Sequence, residues 1–251
     1  MTSPLLTFDG VTRYFGGIVA VDDCSFTVGE GELVGMVGPN GAGKSTLFNL
    51  ATGYLEPSRG TVTVLGVPTH RHPAAALARQ GLSRTFQTPV AFRELTVLDN
   101  VMVAAPVARP LLSGLMGGWR QQERSHEEGA RALLEKVGLS QRADTEAGEL
   151  SGGELRMLEV ARQLFTGPRL LLLDEPTAGV APHLQTTLGD LIRSVHADGV
   201  AVVVVEHNLG FLLELVDRVI CLANGRVIAD GTPEQIRRDP QVVAAYLGEH
   251  S

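Results

Sequence analysis

The chain has 251 residues and a formal net charge of −7, with 44% hydrophobic and 20% charged residues. This composition is typical of a folded globular protein and excludes a largely disordered chain. The acidic balance argues against nucleic acid as the main partner, because proteins that bind it usually carry a basic surplus. No stretch approaches the roughly 18 consecutive apolar residues of a membrane helix, and the N-terminus lacks the pattern of a signal peptide.

Two residue types are scarce in this chain. The cysteines are Cys24 and Cys221, which lie in apolar segments without the spacing of a metal or redox motif. They are expected to be reduced thiols in the core of a cytosolic protein. Among the 21 basic residues, Lys44 and Lys136 are the two lysines and the rest are arginines.

The first third of the chain predicts strands around one strand–loop–helix unit. Apolar alternation and turn residues predict strands at residues 5–8, 25–28, 33–37 and 61–65, with 13–23 lying between the first two. Glycine dominates the segment after 33–37, and a helix then runs through Leu47 and Leu50 until Gly53 ends it.

From residue 87 to residue 149 the pattern is helical. Thr96 and Asp99 are placed as a capping box at the start of a helix. Residues 106–119 are rich in Pro, Gly, Leu and Met, which predicts an irregular segment. Residues 121–137 predict an amphipathic helix that Gly138 ends.

The last third returns to alternating strands and helices. The predicted elements are a helix from 151 to 165, a strand at 170–173, a helix at 184–196, a strand at 200–205, a β pair at 218–222 and 226–229, and a short helical region at the end. This alternation implies an α/β fold with a mostly parallel sheet, interrupted by a helical insertion.

A glycine-rich loop follows the predicted strand at 33–37. Its first eight residues match the pattern G-x-x-x-x-G-K-[ST], and the loop comprises Gly38, Pro39, Asn40, Gly41, Ala42, Gly43, Lys44, Ser45 and Thr46. Glycines let backbone N–H groups surround a polyphosphate, and the following helix directs its positive end at the same anion. Lys44 is suited to reach the β- and γ-phosphates and Ser45 to bind Mg²⁺. The strand before and the helix after argue against a chance glycine-rich turn, so the loop predicts ATP binding.

Two carboxylates follow the apolar strand at 170–173. Asp174 is suited to the water shell of Mg²⁺, and Glu175 is suited to act as the base that activates a water molecule. Alone, this pair is also explained as a polar end to a strand. Together with the glycine-rich loop it predicts a nucleotide-hydrolysing site.

Residues 150–154, Leu-Ser-Gly-Gly-Glu, begin a predicted helix. Ser151 and Glu154 have capping-box spacing, which explains both residues without a ligand. Gly152 and Gly153 do not fit that explanation, because each glycine lowers helix stability. An anion that approaches the backbone at this helix start explains them.

In this order and spacing, the motifs resemble those of the ATP-binding subunits of ABC transporters over essentially the whole chain. Residues 38–46 match the Walker A motif, 150–154 the signature, and 170–174 the Walker B motif with Glu175 beside it. Gln87 matches the Q-loop glutamine and His207 the switch histidine.

The resemblance implies a P-loop NTPase of ABC type. Its mostly parallel sheet core would carry an N-terminal antiparallel β subdomain and an inserted α-helical subdomain. The whole chain would form a single ABC ATPase domain, with the core and β subdomain at 1–86 and 151–251 and the helical subdomain at 87–150.

The resemblance also implies a site shared by two subunits arranged head to tail. ATP on the Lys44 loop of one subunit would be closed over by the signature of the other, and the residues implied there are Ser151, Gly152 and Gly153. Glu175, His207 and Lys44 would be catalytic, with His207 at the γ-phosphate. Taken alone, a histidine after a strand is also explained as a structural residue.

The remaining implied ligands surround the metal and the base. Ser45, Gln87 and Asp174 would hold Mg²⁺, and Gln87 would also lie at the contact with a membrane partner; on its own it is explained as a polar loop residue. Phe15 would stack on adenine with Val21 beside it. A core aromatic is the alternative for Phe15.

Two positions depart from the family pattern. Glu154 stands where the signature usually has glutamine, and its carboxylate would repel phosphate unless the N–H groups of its own helix occupy it. Ala181 stands where the family often has aspartate, which weakens any detailed account of how two ATP sites communicate.

Finer similarity lies in residues 84–87, 92–97, 103–122 and 231–249. Together they resemble the ATPase subunit of high-affinity branched-chain amino acid importers. Urea-type importers and lipopolysaccharide-export ATPases are the alternatives within the superfamily. A soluble ABC ATPase acting on DNA or ribosomes is the alternative of another class, although such proteins usually carry tandem cassettes or long coiled coils.

The resemblance implies a set of partners and a location. The partners would be a second ATPase subunit, identical or different, two membrane-spanning permease subunits and, indirectly, an extracytoplasmic solute-binding protein, with no nucleic acid. The chain would lie peripherally on the cytoplasmic face of the membrane.

Overall fold

The computed structural model describes residues 4–105 and 118–247. Two compact units make up the chain: the first comprises Met1–Arg84, Arg169–Pro176 and Arg193–Ser251, and the second comprises Thr85–Pro168 and Thr177–Ile192. The subdomain boundaries inferred from the sequence stay a prediction. Most of the segment 106–119, predicted to be irregular, lies outside the described residues, as do Gly248 and Glu249.

The strands of the described residues belong to the first unit. They are β1 (Leu6–Phe15), β2 (Ile18–Val28), β3 (Leu33–Val37), β4 (Arg59–Val64), β5 (Val67–Pro68), β6 (Leu82–Arg84), β7 (Leu170–Asp174), β8 (Ala201–Val205), β9 (Arg218–Ala223) and β10 (Arg226–Gly231).

The α-helices of the described residues are α1 (Lys44–Ala51), α2 (Ala74–Arg79), α3 (Val97–Met102), α4 (Gly118–Lys136), α5 (Gly152–Phe165), α6 (Pro182–Ala197), α7 (Leu209–Leu215), α8 (Pro233–Arg238) and α9 (Pro240–Leu247). Within these residues, no helix is both long and apolar enough to cross a membrane.

The N-terminal sheet is antiparallel, with the strand order β2-β1-β4-β5. This confirms the predicted antiparallel β region. The prediction that residues 13–23 lie outside the strands is wrong, because β1 and β2 continue through them and close a hairpin where Phe15 pairs with Ile18. Both side chains at this end are exposed, so the hairpin lacks the alternating burial by which a strand is recognised in a sequence.

The second sheet has the order β10-β9-β3-β8-β7-β6. Strands β9, β3, β8, β7 and β6 are parallel, and β10 pairs antiparallel with β9. Every residue of β3, β7 and β8 is buried, as expected for strands with both faces covered. These strands therefore read as continuous apolar runs, and their predicted bounds are confirmed to within one residue.

The pairing register determines where the polar residues after these strands lie. Asp174 at the end of β7 pairs with Val205 at the end of β8, and Val205 pairs with Met36 near the end of β3. The carboxyl ends of three neighbouring strands thus meet at one edge of the sheet. Ligands of open α/β sheets bind at this edge.

The helices of the second unit confirm the predicted helical segment. Helix α4 covers most of the predicted helix at 121–137, and α5 begins directly after Ser151. The Thr96 side chain accepts a hydrogen bond from the Asp99 N–H, as predicted, while the Asp99 carboxylate bonds to the Thr96 hydroxyl at 2.6 Å. Helix α6 begins at Pro182, two residues before its predicted start.

Both cysteines are buried and free, which confirms the prediction of reduced core thiols. The Cys24 Sγ donates a hydrogen bond to the Gly225 carbonyl at 3.0 Å. Burial raises the pKa of both thiols, that of Cys221 to about 11. The thiols are therefore protonated at neutral pH and poorly reactive.

Candidate functional site

The glycine-rich loop connects β3 to α1, and its backbone packs tightly against neighbouring strands. A Cβ atom on Gly38 would lie 2.3 Å from the Leu222 carbonyl oxygen. Gly43 has a φ of 101°, and a Cβ there would lie 2.6 Å from the Ala20 carbonyl oxygen. Glycine is required at both positions because any side chain would collide with backbone.

Lys44 opens helix α1 and is buried against the loop, with 6% of its surface exposed. Its Nζ atom donates hydrogen bonds to the carbonyl oxygens of Gly38 at 2.5 Å and Pro39 at 3.0 Å. The ammonium group and the positive end of α1 are thus placed in the same loop. Ser45 is exposed beside Lys44. This arrangement is suited to binding a polyphosphate.

Asp174 ends strand β7 and Glu175 follows it, and the two carboxylates have different environments. Asp174 is buried, with 4% of its surface exposed. Glu175 has a left-handed backbone with a φ of 48°, and its N–H donates to the Val205 carbonyl at 2.9 Å. A non-glycine residue in this conformation costs about 1–3 kcal/mol, and such residues cluster at functional sites. The conformation turns the chain sharply at the sheet edge.

His207 lies close to Glu175 at this edge. The distance between His207 Nε2 and Glu175 Oε1 is 2.8 Å, although the two residues are 32 positions apart. Since an ionised carboxylate only accepts hydrogen bonds, Nε2 is the donor in the tautomer that carries its proton there. The His207 side chain is 46% exposed and that of Glu175 is 17% exposed. A carboxylate and an imidazole that both reach solvent are a suitable pair for proton transfer.

Phe15 and Val21 have contrasting environments. Phe15 is 43% exposed at the end of the hairpin, with the Arg13 guanidinium 4.8 Å from its ring centroid. The alternative that Phe15 is a core aromatic is therefore wrong. Val21 is fully buried, and its Cγ2 would lie 3.4 Å from a Cβ on Gly43. The contacts of both residues with a nucleotide stay predictions.

The predicted capping box at the start of α5 is confirmed. Ser151 Oγ accepts from the Glu154 N–H at 3.3 Å, and Glu154 Oε2 accepts from the Ser151 N–H at 2.8 Å. The hydrogen bonds from Ser151 hold the pKa of the Glu154 carboxyl below its usual value. The carboxylate at this unusual signature position is thus engaged by its own helix, as expected from the sequence.

The two signature glycines are not required by the part of the chain that the structure describes. There, a Cβ on Gly152 would meet no atom within 4 Å, and a Cβ on Gly153 would make an ordinary contact at 3.5 Å with Leu184. Both border a cleft of about 440 Å³ in the second unit, lined by Gly138, Leu139, Ser151, Gly152, Gly153, Glu154, Gly179, Ala181, His183 and Leu184. An external ligand that needs close access to the helix start explains both glycines.

Gln87 is exposed, and helix α5 holds its backbone. The Arg156 guanidinium donates to the carbonyl oxygens of Phe86 and Gln87, each at 2.5 Å. Glu159 Oε1 accepts from the Phe86 N–H at 2.8 Å, and Glu159 Oε2 accepts from Arg156 at 2.8 Å. Arg156 and Glu159 thus clamp the backbone around Gln87 onto the signature helix.

This clamp was missed in the sequence. The side chains of Arg156 and Glu159 are only 2% and 3% exposed, and burial raises the pKa of the Glu159 carboxyl. The available signal was two opposite charges three positions apart among apolar residues of a helix. Their partners lie about 70 positions away, which no local pattern reveals.

Replacing Arg156 by methionine is expected to lower the free energy of unfolding by about 3–5 kcal/mol, because Glu159 is left buried without its cation. Chemical denaturation measures this change. The double variant R156M/E159L should regain part of the loss, since an apolar pair leaves no buried charge. The control R131M removes the exposed pair with Glu127 and should change stability little. Equal stability of R156M and R131M would contradict the prediction.

The structure brings together one group of predicted residues in each unit. The first unit places the Lys44 loop, Asp174, Glu175 and His207 at one sheet edge. The second unit holds Gln87 on α5, the helix that begins at the signature. The roles of these residues toward ATP and Mg²⁺ stay predictions.

A parallel sheet with a glycine-rich loop at one strand end and an acidic pair at another defines the class of P-loop nucleotide-binding proteins. The family model described as "ABC transporter" matches residues 21–178. A second model, described as "Branched-chain amino acid ATP-binding cassette transporter", matches residues 226–251. The chain therefore belongs to the ABC transporter family and is an ATPase of that family.

Known proteins of this kind match along their whole length. A high-affinity branched-chain amino acid transport ATP-binding protein of Pseudomonas aeruginosa is 40% identical over 99% of this chain and 100% of its own. The ADP conformation of an ATP-binding cassette of an ABC transporter has a TM-score of 0.83 at 36% identity, covering 98% of this chain and 100% of its own. A dimeric cassette in a post-hydrolysis state, bound to ADP and Pi, has a TM-score of 0.75 at 25% identity, and the match covers 91% of this chain and 98% of that cassette. The predicted fold and family are confirmed.

Proposed function

We propose that this chain hydrolyses ATP at the edge of its parallel sheet and drives the import of branched-chain amino acids through membrane partners. The observation that carries the catalytic part is the hydrogen-bonded pair of Glu175 and His207, next to Asp174 and on the same edge as the Lys44 loop. The solute is inferred from the relative in Pseudomonas aeruginosa and from the match of residues 226–251.

Each side chain at the edge has a distinct task in this proposal. Glu175 accepts a proton from the attacking water, and the His207 N–H either orients Glu175 or donates to the γ-phosphate, since a neutral imidazole donates one hydrogen at a time. Lys44 and the N–H groups of the loop stabilise the negative charge that develops on the transferred phosphate. Phe15, exposed at the end of the hairpin, stacks on the adenine.

Mg²⁺ completes the site in this proposal, and Ser45 and Asp174 of the first unit would hold it directly or through water. The role of Gln87 as a further ligand stays a prediction from the sequence. These residues offer hydroxyl, amide and carboxylate oxygens, which are the donors that Mg²⁺ prefers. The described residues contain no group of three His, Cys, Asp or Glu side chains placed to hold a metal ion. When bound, Mg²⁺ neutralises charge on the phosphates.

The signature supports a site shared between two subunits. Among the described residues, nothing requires glycine at positions 152 and 153, although glycine is less favourable than alanine in a helix, by up to about 1 kcal/mol in its interior. The loss of helix stability is explained if a phosphate bound on a second subunit approaches the Ser151 end of α5. The dimeric cassette bound to ADP and Pi supports a pair of such subunits. Their head-to-tail arrangement is part of this proposal, since it brings the signature of one subunit to the phosphate loop of the other.

The proposal places the chain peripherally on the cytoplasmic face of a membrane. Its further partners would be two membrane-spanning permease subunits and, indirectly, an extracytoplasmic solute-binding protein. Gln87 and the residues after it, in the helical subdomain proposed at 87–150, would contact the permease. No nucleic acid takes part.

Reconstitution in lipid vesicles tests this function. The chain is combined with its permease subunits and solute-binding protein, and ATP hydrolysis is measured with the binding protein loaded with leucine, isoleucine, valine or urea. Stimulation by the three amino acids and accumulation of labelled leucine are expected. Stimulation by urea alone, or by DNA or ribosomes in the absence of membrane subunits, would contradict the proposal.

A further inference from the structure

We infer that Arg84 is a positioning residue of the ATPase site, which fixes the Asp174 carboxylate to the helix that follows the phosphate loop. This inference rests on the proposed function. Arg84 ends strand β6, which pairs with β7, and it begins the segment 84–87 that resembles branched-chain importers, where the resemblance assigns a role to Gln87 but none to Arg84. The geometry of its guanidinium group carries the argument.

The guanidinium joins two elements of the first unit. Its Nη2 donates to Asp174 Oδ2 at 3.0 Å, at the end of β7. Its Nη1 donates to Asn49 Oδ1 at 2.6 Å and to Thr52 Oγ1 at 3.3 Å, near the end of helix α1. The Phe48 ring of α1 supports the group, with its centroid 5.5 Å from the guanidinium carbon. Because α1 begins at Lys44, this bridge links the Asp174 carboxylate to the helix that carries the phosphate loop.

The bridge is buried, since the Arg84 and Asp174 side chains are 8% and 6% exposed. Burying an arginine and an aspartate removes both from water, and an apolar pair of similar volume would often be as stable. Stability alone therefore does not explain the pair. A fixed orientation of the carboxylate does explain it, because outer partners that orient a ligand strongly influence metal affinity.

A fork-shaped group is needed for this task. Arginine presents several N–H donors in a rigid plane, so that one nitrogen reaches Asp174 while another reaches α1. A lysine ammonium would keep the positive charge without spanning both elements. The variants R84M, which removes the charge, and R84K, which keeps it, therefore separate positioning from simple charge compensation.

The experiment measures the Mg²⁺ concentration that gives half-maximal ATP hydrolysis by the intact chain, and the affinity for ATP in EDTA. Both R84M and R84K are expected to raise the half-saturating Mg²⁺ concentration by about tenfold, the equivalent of one hydrogen bond between charged groups. Their affinity for ATP in EDTA should stay within about twofold of the original, because the Lys44 loop is unchanged. A tenfold effect in R84M that R84K fully restores would overturn the inference, since charge alone would then suffice.

Two further variants test the inference independently of the Arg84 variants. N49A removes one acceptor of the Arg84 guanidinium on α1, and alanine is a favourable residue in a helix. Because Arg84 is then held less firmly, the half-saturating Mg²⁺ concentration should rise by about threefold. No change in N49A would overturn the inference even if the Arg84 variants failed to fold.

R218M is the matched control: it removes an arginine bonded to Asp230 and Glu32 at the opposite edge of the sheet, and should leave the Mg²⁺ dependence unchanged. Absence of Mg²⁺-dependent hydrolysis in the unmodified chain would instead contradict the proposed function, and with it this inference.

Discussion

Replacing Glu175 by glutamine is expected to leave ATP binding intact and to lower turnover by about 10²–10⁴-fold, the usual contribution of a general base. The glutamine amide oxygen can still accept the hydrogen bond that Glu175 Oε1 receives from His207 Nε2 at 2.8 Å. Glutamine also keeps the shape of the side chain on the left-handed backbone of this position. The amide has no basic oxygen to take a proton from water, so the chemical step alone should fail.

Three measurements on E175Q check this prediction. Nucleotide titration should give nearly the original affinity, phosphate release should almost disappear, and gel filtration with ATP and Mg²⁺ should show a persistent dimer, because the closed state is not resolved by hydrolysis. E30Q makes the same chemical change at an exposed carboxylate paired with Arg169, and is expected to hydrolyse ATP normally. Unchanged hydrolysis in E175Q would exclude Glu175 as the base.

Replacing Lys44 by alanine is expected to weaken ATP binding by about 10–100-fold, as the loss of hydrogen bonds from a charged donor predicts. The ammonium group now lies against the carbonyl oxygens of Gly38 and Pro39, and its removal takes the positive charge out of the loop. The glycines that shape the loop stay in place, because their conformation depends on contacts with neighbouring strands. The variant should therefore fold.

Calorimetric titration with ATP and thermal unfolding with and without nucleotide measure the effect of K44A. The nucleotide-dependent rise in melting temperature should shrink, since stabilisation by a ligand follows its affinity. The exposed Lys136 at the end of α4 offers a matched control, and K136A should bind ATP normally. Equal affinity of K44A and K136A would contradict the role of the loop.

The parts of the site that follow a local rule were predictable from the sequence. The loop around Lys44 needs a fixed spacing of glycines, and buried strands such as β7 and β8 appear as uninterrupted apolar runs. The Ser151 capping box likewise involves residues three positions apart. Each of these patterns depends on contacts between residues that are close in the sequence, so the sequence alone predicts the local structure.

Other features depend on chain segments that the fold brings together. Arg84 meets Asp174 across 90 positions, and Arg156 meets Phe86 across 70. Strand β6 has only three residues, too few to show a period, and is recognised only by its pairing with β7. The outer hairpin was missed for another reason: exposed strands at a sheet end carry no burial pattern.

The two lysines give this chain an unusual chemical property. Apart from its α-amino group, a reagent that acylates primary amines can react with Lys44, which is buried in the loop, and with the exposed Lys136. After digestion, the mass of the peptide that contains Lys44 therefore reports how accessible its ammonium group is, and the peptide that contains Lys136 serves as an internal standard. In a chain that uses arginine almost everywhere else, the residue predicted to hold the phosphates of ATP is thus one of the few that an acylating probe can mark.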